Sequence, residues 1–256
     1  MILQMMEIDN KTKEIKLGVN IDHVATLRNA RGEQDPSLLE IALEAQEGGA
    51  ASFTMHLRED RRHIVDNDLF EIKKHAKIPI NMEMALTDEM TEIALKLKPK
   101  SVCIVPENRE ELTTEGGLNT KDLFDRLSNG LSVFKEADIE VFLFTEPSEE
   151  AVEHAAKLGV TGIEVHTGNF ARSFFHREAL ESELKKINYA GKLCREKHLE
   201  FHAGHGLNYH NIYSLLGIEN LSEVNIGHAI ISRALKTGMR QAVLEMKDNL
   251  WRAEIS

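Results

Sequence analysis

Eight short β-rich runs recur along the chain, and the spacing between them leaves room for a helix each time. They are IKLGVNID at 15–22, ASFTMH at 51–56, IPINMEM at 78–84, SVCIVP at 101–106, IEVFLFT at 139–145, TGIEVH at 161–166, LEFHAG at 199–204 and SEVNIG at 222–227. The intervening segments carry apolar residues at helical spacing, such as Leu38, Ile41 and Ala45, or Met90, Ile93 and Leu97. Strands joined through helices pair in parallel. Eight strand-then-helix units within 256 residues predict an α/β fold, a closed (β/α)8 TIM barrel with extra short helices, in one domain spanning 15–256. A charged extension at 1–14 precedes it. The competing architecture, an open doubly wound sheet, wants a G-x-G-x-x-G turn, and the run from Gly204 to Tyr209 supplies two glycines and no third.

Boundary signals agree with the alternation. Asp35-Pro36 reads as an N-cap followed by proline at the first helical position, with Gly48-Gly49 at the far end. Thr87 and Ser148 are N-cap candidates with acidic residues in the following turn, where the positive end of the helix dipole favours them. Pro99 and Gly159 stop the corresponding helices. The long irregular stretch at 107–119, which holds Thr113 and Gly116-Gly117, has the length of a binding loop and is expected to close over a ligand.

Charge limits the partners. With 42 acidic against 31 basic residues and a formal net charge of -11, the overall field repels polyanions, so neither nucleic acid nor an anionic membrane surface is an expected partner. An anionic ligand must be held by a local cluster. Cys103 and Cys194 are too few and too far apart for a disulfide framework or a metal knuckle, and they read as core residues of a protein in a reducing compartment. The first residues lack a signal-peptide apolar run, and no segment approaches 18 uninterrupted apolar residues, so a soluble, cytoplasmic protein is expected.

Residues i and i+2 of a strand share a face. Asn20 and Asp22, His56 and Arg58, Asn81 and Glu83, and Glu164 and His166 are such pairs at the ends of strands 1, 2, 3 and 6. Strand 7 runs into Gly204-His205-Gly206 and strand 8 into Asn225, Gly227 and His228. Polar residues therefore gather at the C-terminal ends, which in a barrel open onto one mouth where catalysis resides, while the N-terminal halves read as largely apolar.

HLREDRRHI, after strand 2, places two histidines and three arginines in one loop. Its readings are a metal site, a nucleic-acid patch, an anion clamp or a solvated loop. Within it, Glu59 and Asp60 can satisfy Arg61 or Arg62 locally. Glu83 sits between Met82 and Met84, and desolvation there would raise its pKa toward a value useful for proton transfer; an ion pair to an arginine of the mouth is the alternative. Asn20 and Asp22 could instead only brace loops. His75, His154, His176 and His198 read as surface residues. No H-E-x-x-H is present and His202 and His205 should face different ways, which leaves metal a minor alternative. No lysine occupies the C-terminal half of a strand run, so imine chemistry would need an amine from a substrate. Gly227-His228 opens the last helical segment, where backbone N–H groups favour a phosphate.

GVNIDHVATLRNARG, HLREDRRHI, NMEMA, VPE followed by LTTEGG, IEVHTG, AGHGLNYHN and NIGHAII resemble, in order and spacing, the pyridoxine 5'-phosphate synthase family over roughly residues 16–250. The resemblance implies a barrel enzyme that condenses 3-amino-2-oxopropyl phosphate with 1-deoxy-D-xylulose 5-phosphate, giving pyridoxine 5'-phosphate, phosphate and water. It implies two phosphorylated small-molecule substrates, neither a metal nor an organic cofactor, and a homo-octamer. By motif position, His56 and Glu83 would be proton acceptors, His205 the proton donor and Glu164 a stabiliser of the transition state. Asn20, Arg31, Gly206, Gly227 and His228 would contact the amino ketone, and Asp22, His23, Arg58, His63 and Thr113 the deoxyxylulose phosphate. The chain departs from the pattern at 1–14, at 169–182, and at His202, where a smaller polar residue is expected. Two other readings stay open on the residues alone: a phosphate-binding barrel isomerase or aldolase, and a non-catalytic barrel that binds a phosphorylated metabolite.

Overall fold

The computed structural model of the protein describes residues 14–107 and 116–252. Eight parallel strands close in chain order, with β8 pairing back to β1. They are β1 (Lys16–Asn20), β2 (Ser52–His56), β3 (Ile80–Met84), β4 (Ser101–Ile104), β5 (Glu140–Thr145), β6 (Gly162–His166), β7 (Glu200–Gly204) and β8 (Leu221–Ile226). The outer layer comprises α1 (Asp22–Asn29), α2 (Leu38–Glu47), α3 (Asp66–His75), α4 (Asp88–Leu97), α5 (Phe124–Gly130), α6 (Ser132–Glu136), α7 (Glu149–Leu158), α8 (Gly168–Ser173), α9 (Arg177–Glu196), α10 (His228–Thr237) and α11 (Met239–Arg252). Among the described residues, no helix is long and apolar enough to cross a membrane.

The expected caps hold at two helices and shift at a third. The side chains of Thr87 and Ser148 accept from the backbone N–H three residues on, at the starts of α4 and α7, and Gly159 ends α7 in the left-handed region. At α2 the cap is Ser37, whose hydroxyl accepts from Glu40 N, and not Asp35. The helix thus begins after Pro36, because a hydroxyl one residue further along reaches the open N–H.

One strand-then-helix unit is missing. Between β7 and β8 the chain makes only a 3-10 turn over Ile212–Leu215. The Asn208 side chain accepts from His210 N at 2.8 Å, and Asn211 accepts from Asn208 N at 2.8 Å while donating to Gly206 O at 3.0 Å. These local side-chain bonds satisfy the backbone in a non-helical path and displace the helix.

The sheet separates two unlike interiors. Outward-facing residues such as Val19, Phe53, Met55, Met82, Met84, Val165 and Val224 join the helices in the main apolar core. Inside the barrel, apolar packing among the described residues is confined to Cys103, Val105, Phe142 and Phe144. The other inward positions are polar or glycine, including those of the N-terminal halves expected to be apolar. Ser52 Oγ donates to Glu223 Oε1 at 2.7 Å, Ser101 Oγ to Asn81 Oδ1 at 2.9 Å and Thr54 Oγ1 to Asn225 Oδ1 at 2.9 Å. His202 stacks on Phe142 with ring centroids 4.3 Å apart, low in the barrel beside Glu200, well away from the mouth position of His205. Burial of these polar groups is tolerable because they pair with one another across the strands.

Candidate active site

Closing the barrel brings the C-terminal ends of distant strands to one mouth. The β1 exit is fixed first: Asn20 Nδ2 donates to Asp22 Oδ2 at 2.9 Å and Asp22 N donates to Asn20 Oδ1 at 3.0 Å. The other Asp22 oxygen accepts from His56 N at 2.9 Å, so the carboxylate joins the β1 and β2 exits. A side chain at Gly227 would meet Asn20 at 3.0 Å, which places the β8 turn directly against the same residue.

His56 is buried, and both ring nitrogens face carboxylates. Nε2 lies 3.0 Å from Glu107 Oε1, and Nδ1 lies 3.9 Å from Glu83 Oε2. Burial alone would raise the Glu107 carboxyl. Its hydrogen bonds with His56 and Glu59 N–H and the charge of Arg58 together hold it below the usual carboxylate range. Glu107 is ionised at neutral pH and orients the imidazole. Glu83 behaves in the opposite way: burial, then the like charges of Glu164 and Asp22, push its pKa well above the usual value. The cause differs from the expectation, since Met82 and Met84 alternate to the outer face and the barrel interior does the desolvating.

Glu164 lies deeper, 2 % exposed, and its Oε2 accepts from Asn225 Nδ2 at 2.7 Å. Its pKa is pushed up to about 7 by burial, against the opposing effects of the His202 charge and the Asn225 hydrogen bond, with Glu223 adding to the rise. Gly204 is required beside it, because a Cβ there would sit 2.0 Å from Glu164 Oε1. Immediately after, His205 adopts φ +78, in the left-handed region that costs a side-chain-bearing residue roughly 1–3 kcal/mol. Thr167, hydrogen-bonded through its hydroxyl to Gly204 O and His205 O, holds this turn in place. The His205 ring faces His166, centroids 4.8 Å apart.

The anion-binding candidates divide. Arg58 is buried, with its Nε 3.6 Å from Asp60. His63 stands 5.9 Å from His56 between ring centroids, and His23 meets His228 edge-on at 5.2 Å. Burial pushes the pKa values of His63 and His23 down despite the nearby Asp22, so both are neutral hydrogen-bonding groups at pH 7. Gly206 is exposed at φ +79. The Arg31 side chain is 79 % exposed, with its guanidinium 3.6 Å from Glu33. Thr113, and with it most of the loop expected to close over a ligand, lies outside the described residues.

Arg61 and Arg62 serve the loop itself. Arg61 bridges Asp66 and Glu89, and Arg62 binds Asp60. His154, expected at the surface, instead bonds Thr120 Oγ1 at 2.9 Å and packs edge-on against Phe124. Asp22, His56 and His63 bring one donor atom each within 4.8 Å of one another, a spacing that a metal ion could span. Asp22 already accepts from Asn20 Nδ2 and the His56 amide, and His56 Nε2 already meets Glu107.

Three groups of the mouth had no assigned role in the sequence reading: Glu107, Glu146 and His166. Glu107 carries a signal, the VPE run after strand 4, but its partner His56 is 51 positions away in the chain. Glu146 follows β5, and its Oε1 lies 2.8 Å from His166 Nδ1.

The family model described as pyridoxal phosphate biosynthesis protein PdxJ matches residues 17–252. The pyridoxine 5'-phosphate synthase of Chlorobium chlorochromatii (strain CaD3) is 50% identical over 232 residues, covering 91% of this chain and 98% of that protein. The pyridoxine 5'-phosphate synthase of Aquifex pyrophilus is 47% identical, covering 91% of this chain and all (100%) of its own. Among solved structures, the tryptophan synthase A-subunit of Pyrococcus furiosus aligns with TM-score 0.61 at 12% identity, over 95% of this chain and 98% of that one. Phosphoribosyl anthranilate isomerase from Thermus thermophilus aligns with TM-score 0.60 at 10% identity, over 94% and 100%. Likeness at such identity concerns the barrel fold alone.

Proposed function

The chain belongs to the pyridoxal phosphate biosynthesis protein PdxJ family, the pyridoxine 5'-phosphate synthases, and from that premise we propose that the mouth histidines and carboxylates carry the proton transfers of the reaction. The activity is the condensation of 3-amino-2-oxopropyl phosphate with 1-deoxy-D-xylulose 5-phosphate, which yields pyridoxine 5'-phosphate, phosphate and water in vitamin B6 biosynthesis. Joining an amine to a ketone forms a carbinolamine, which loses water to give an imine. Closing the ring then needs protons removed from carbon and delivered to departing oxygen. Histidine and carboxylates with raised pKa values can do both near neutral pH.

The observation that carries the assignment is the position of His56 between an ionised and a raised-pKa carboxylate, Glu107 at Nε2 and Glu83 at Nδ1. Glu107 keeps the imidazole oriented. Glu83, desolvated, is a strong base in its ionised state. His205 is the proton donor to the departing hydroxyl, which leaves as water, and Glu164 stabilises positive charge that develops above the barrel axis. Asn20, Arg31, Gly206, Gly227 and His228 contact the amino ketone, with the start of α10 supplying N–H donors to its phosphate. Asp22, His23, Arg58 and His63 contact the deoxyxylulose phosphate. The protein acts in the cytoplasm. Its assembly is an octamer, for which exposed apolar groups such as Phe175 and Leu235, 87% and 75% exposed, offer surface to cover.

The test mixes purified protein with both substrates, follows the absorbance of the pyridinol product, and omits each substrate in turn. Glu83→Gln and His205→Asn are expected to bind substrate and lose product formation by about 10²-fold or more. Turnover near the wild-type rate in either variant removes that residue from the mechanism.

A further inference from the structure

The least explained part of the mouth is the wall formed by the β5, β6 and β7 exits. His166 ends β6, and its side chain is 1% exposed. Nδ1 lies 2.8 Å from Glu146 Oε1, and the same oxygen accepts from Gly117 N at 3.0 Å. The opposite ring nitrogen, Nε2, is buried without a hydrogen-bond partner among the described residues. A buried polar atom of this kind calls for a reason.

The surroundings show how the ring is held. Phe144 packs edge-on against it at 5.5 Å between centroids. Gly168 lies so close that a Cβ there would come within 2.5 Å of His166 Nε2 and 3.1 Å of His205 Cδ2, so the absence of a side chain at 168 lets the two rings meet. The His205 ring stands 4.8 Å away, delivered by a left-handed turn that Thr167 pins. A carboxylate, a buried imidazole and a half-buried imidazole are thus arrayed in order from the β5 exit to the mouth.

Building on the assignment of His205 as proton donor, we propose that Glu146 and His166 form a positioning pair for it: Glu146 accepts the Nδ1 proton of His166, leaving the Nε2 lone pair on the side of His205. A carboxylate–imidazole pair of this kind fixes the tautomer and makes the free nitrogen a better acceptor. The His205 imidazolium is stabilised by that lone pair and by the charge of Glu146 behind it. The pair therefore keeps His205 protonated to higher pH and ready to deliver its proton to the departing hydroxyl, after which water leaves and neutral His205 is reloaded from solvent. Glu146 is suited to this because its hydrogen bond with His166 outweighs burial and holds its carboxyl below the usual range. Among the described residues, charges near this wall include Arg172 from α8, which adds a positive charge near Glu146, and Glu164 from the barrel interior beneath Gly204.

The experiment compares the full-length wild type with Glu146→Gln, Glu146→Asp and His166→Gln in the two-substrate assay across pH, with thermal midpoints measured alongside. Glu146→Gln and His166→Gln are expected to lower kcat by about tenfold or more, with KM changed less than about threefold. Their basic limb of kcat should move to lower pH by at least about half a unit, since His205 loses its proton sooner; Glu146→Asp restores most of both. In parallel, the ring signals of carbon-13-labelled histidine, assigned with His205→Asn, give the titration midpoint of His205 directly. That midpoint should fall in Glu146→Gln whether or not the variant turns over. Unmoved limb and midpoint overturn the proposal, even if kcat falls, because packing alone would then explain the loss. Turnover by His205→Asn would instead refute the donor role of His205, and the midpoint would still judge the coupling.

Discussion

Replacing Glu164 by Gln should make the protein more stable at alkaline pH and leave acid stability nearly unchanged. The carboxyl is 2% exposed and its folded-state pKa is about 7, against an ordinary 4.5. Because the folded value is raised, its favourable contribution is fully present below pH 4.5 and disappears as pH rises through 7. The free energy lost by the wild type across that window is about 3 kcal/mol at 1.36 kcal/mol per pKa unit. Glutamine removes the titration and keeps an oxygen for the hydrogen bond donated by Asn225 Nδ2 at 2.7 Å. Urea unfolding of both proteins at fixed concentration, at pH 4.5, 6, 7 and 8.5, measures the difference. The variant should gain up to about 3 kcal/mol relative to wild type between the extremes, equivalent to roughly 6–12 °C in thermal midpoint. Product formation should fall, since a neutral amide cannot stabilise developing positive charge; stability and activity would move in opposite directions. A stability difference that does not change with pH would refute the reasoning, for it would mean that Glu164 carries the same charge when folded and unfolded.

Other consequences follow from the same geometry. Arg61→Ala removes bonds to Asp66 and Glu89 and should lower stability by about 1 kcal/mol with turnover largely retained, as read by urea unfolding and the product assay. Cys103 and Cys194 are both buried and burial pushes their thiols up, Cys194 to about 12, so a thiol-reactive dye should label neither until the protein is unfolded. Gly168→Ala would set a methyl 2.5 Å from His166 Nε2; it should depress kcat with little change in substrate affinity, measured in steady-state kinetics.

The strand and helix alternation was legible because it is a local property: runs such as IEVFLFT and caps such as Thr87 and Ser148 act within a few residues of themselves. The segment after β7 read as one more helical unit, and the asparagine bonds at 208 and 211 that replace the helix depend on which backbone groups the turn brings into reach. In β2, the inward polar set of Ser52, Thr54 and His56 alternates with apolar residues that face the helices. The β8 partners of Ser52 and Thr54 lie 171 positions away in the chain, so the polar interior emerges only when the barrel closes.

The sequence by itself determined the order of the elements, the chemistry held at each strand end and the family those motifs belong to. Tertiary structure decided which of those groups meet: that Glu107 takes His56, that Glu146 takes His166, and that Glu83 is desolvated by the barrel interior and not by its neighbours in the chain. The reason is that hydrogen bonding and desolvation depend on distance in space, which parallel strands joined through long crossovers make nearly independent of distance along the chain.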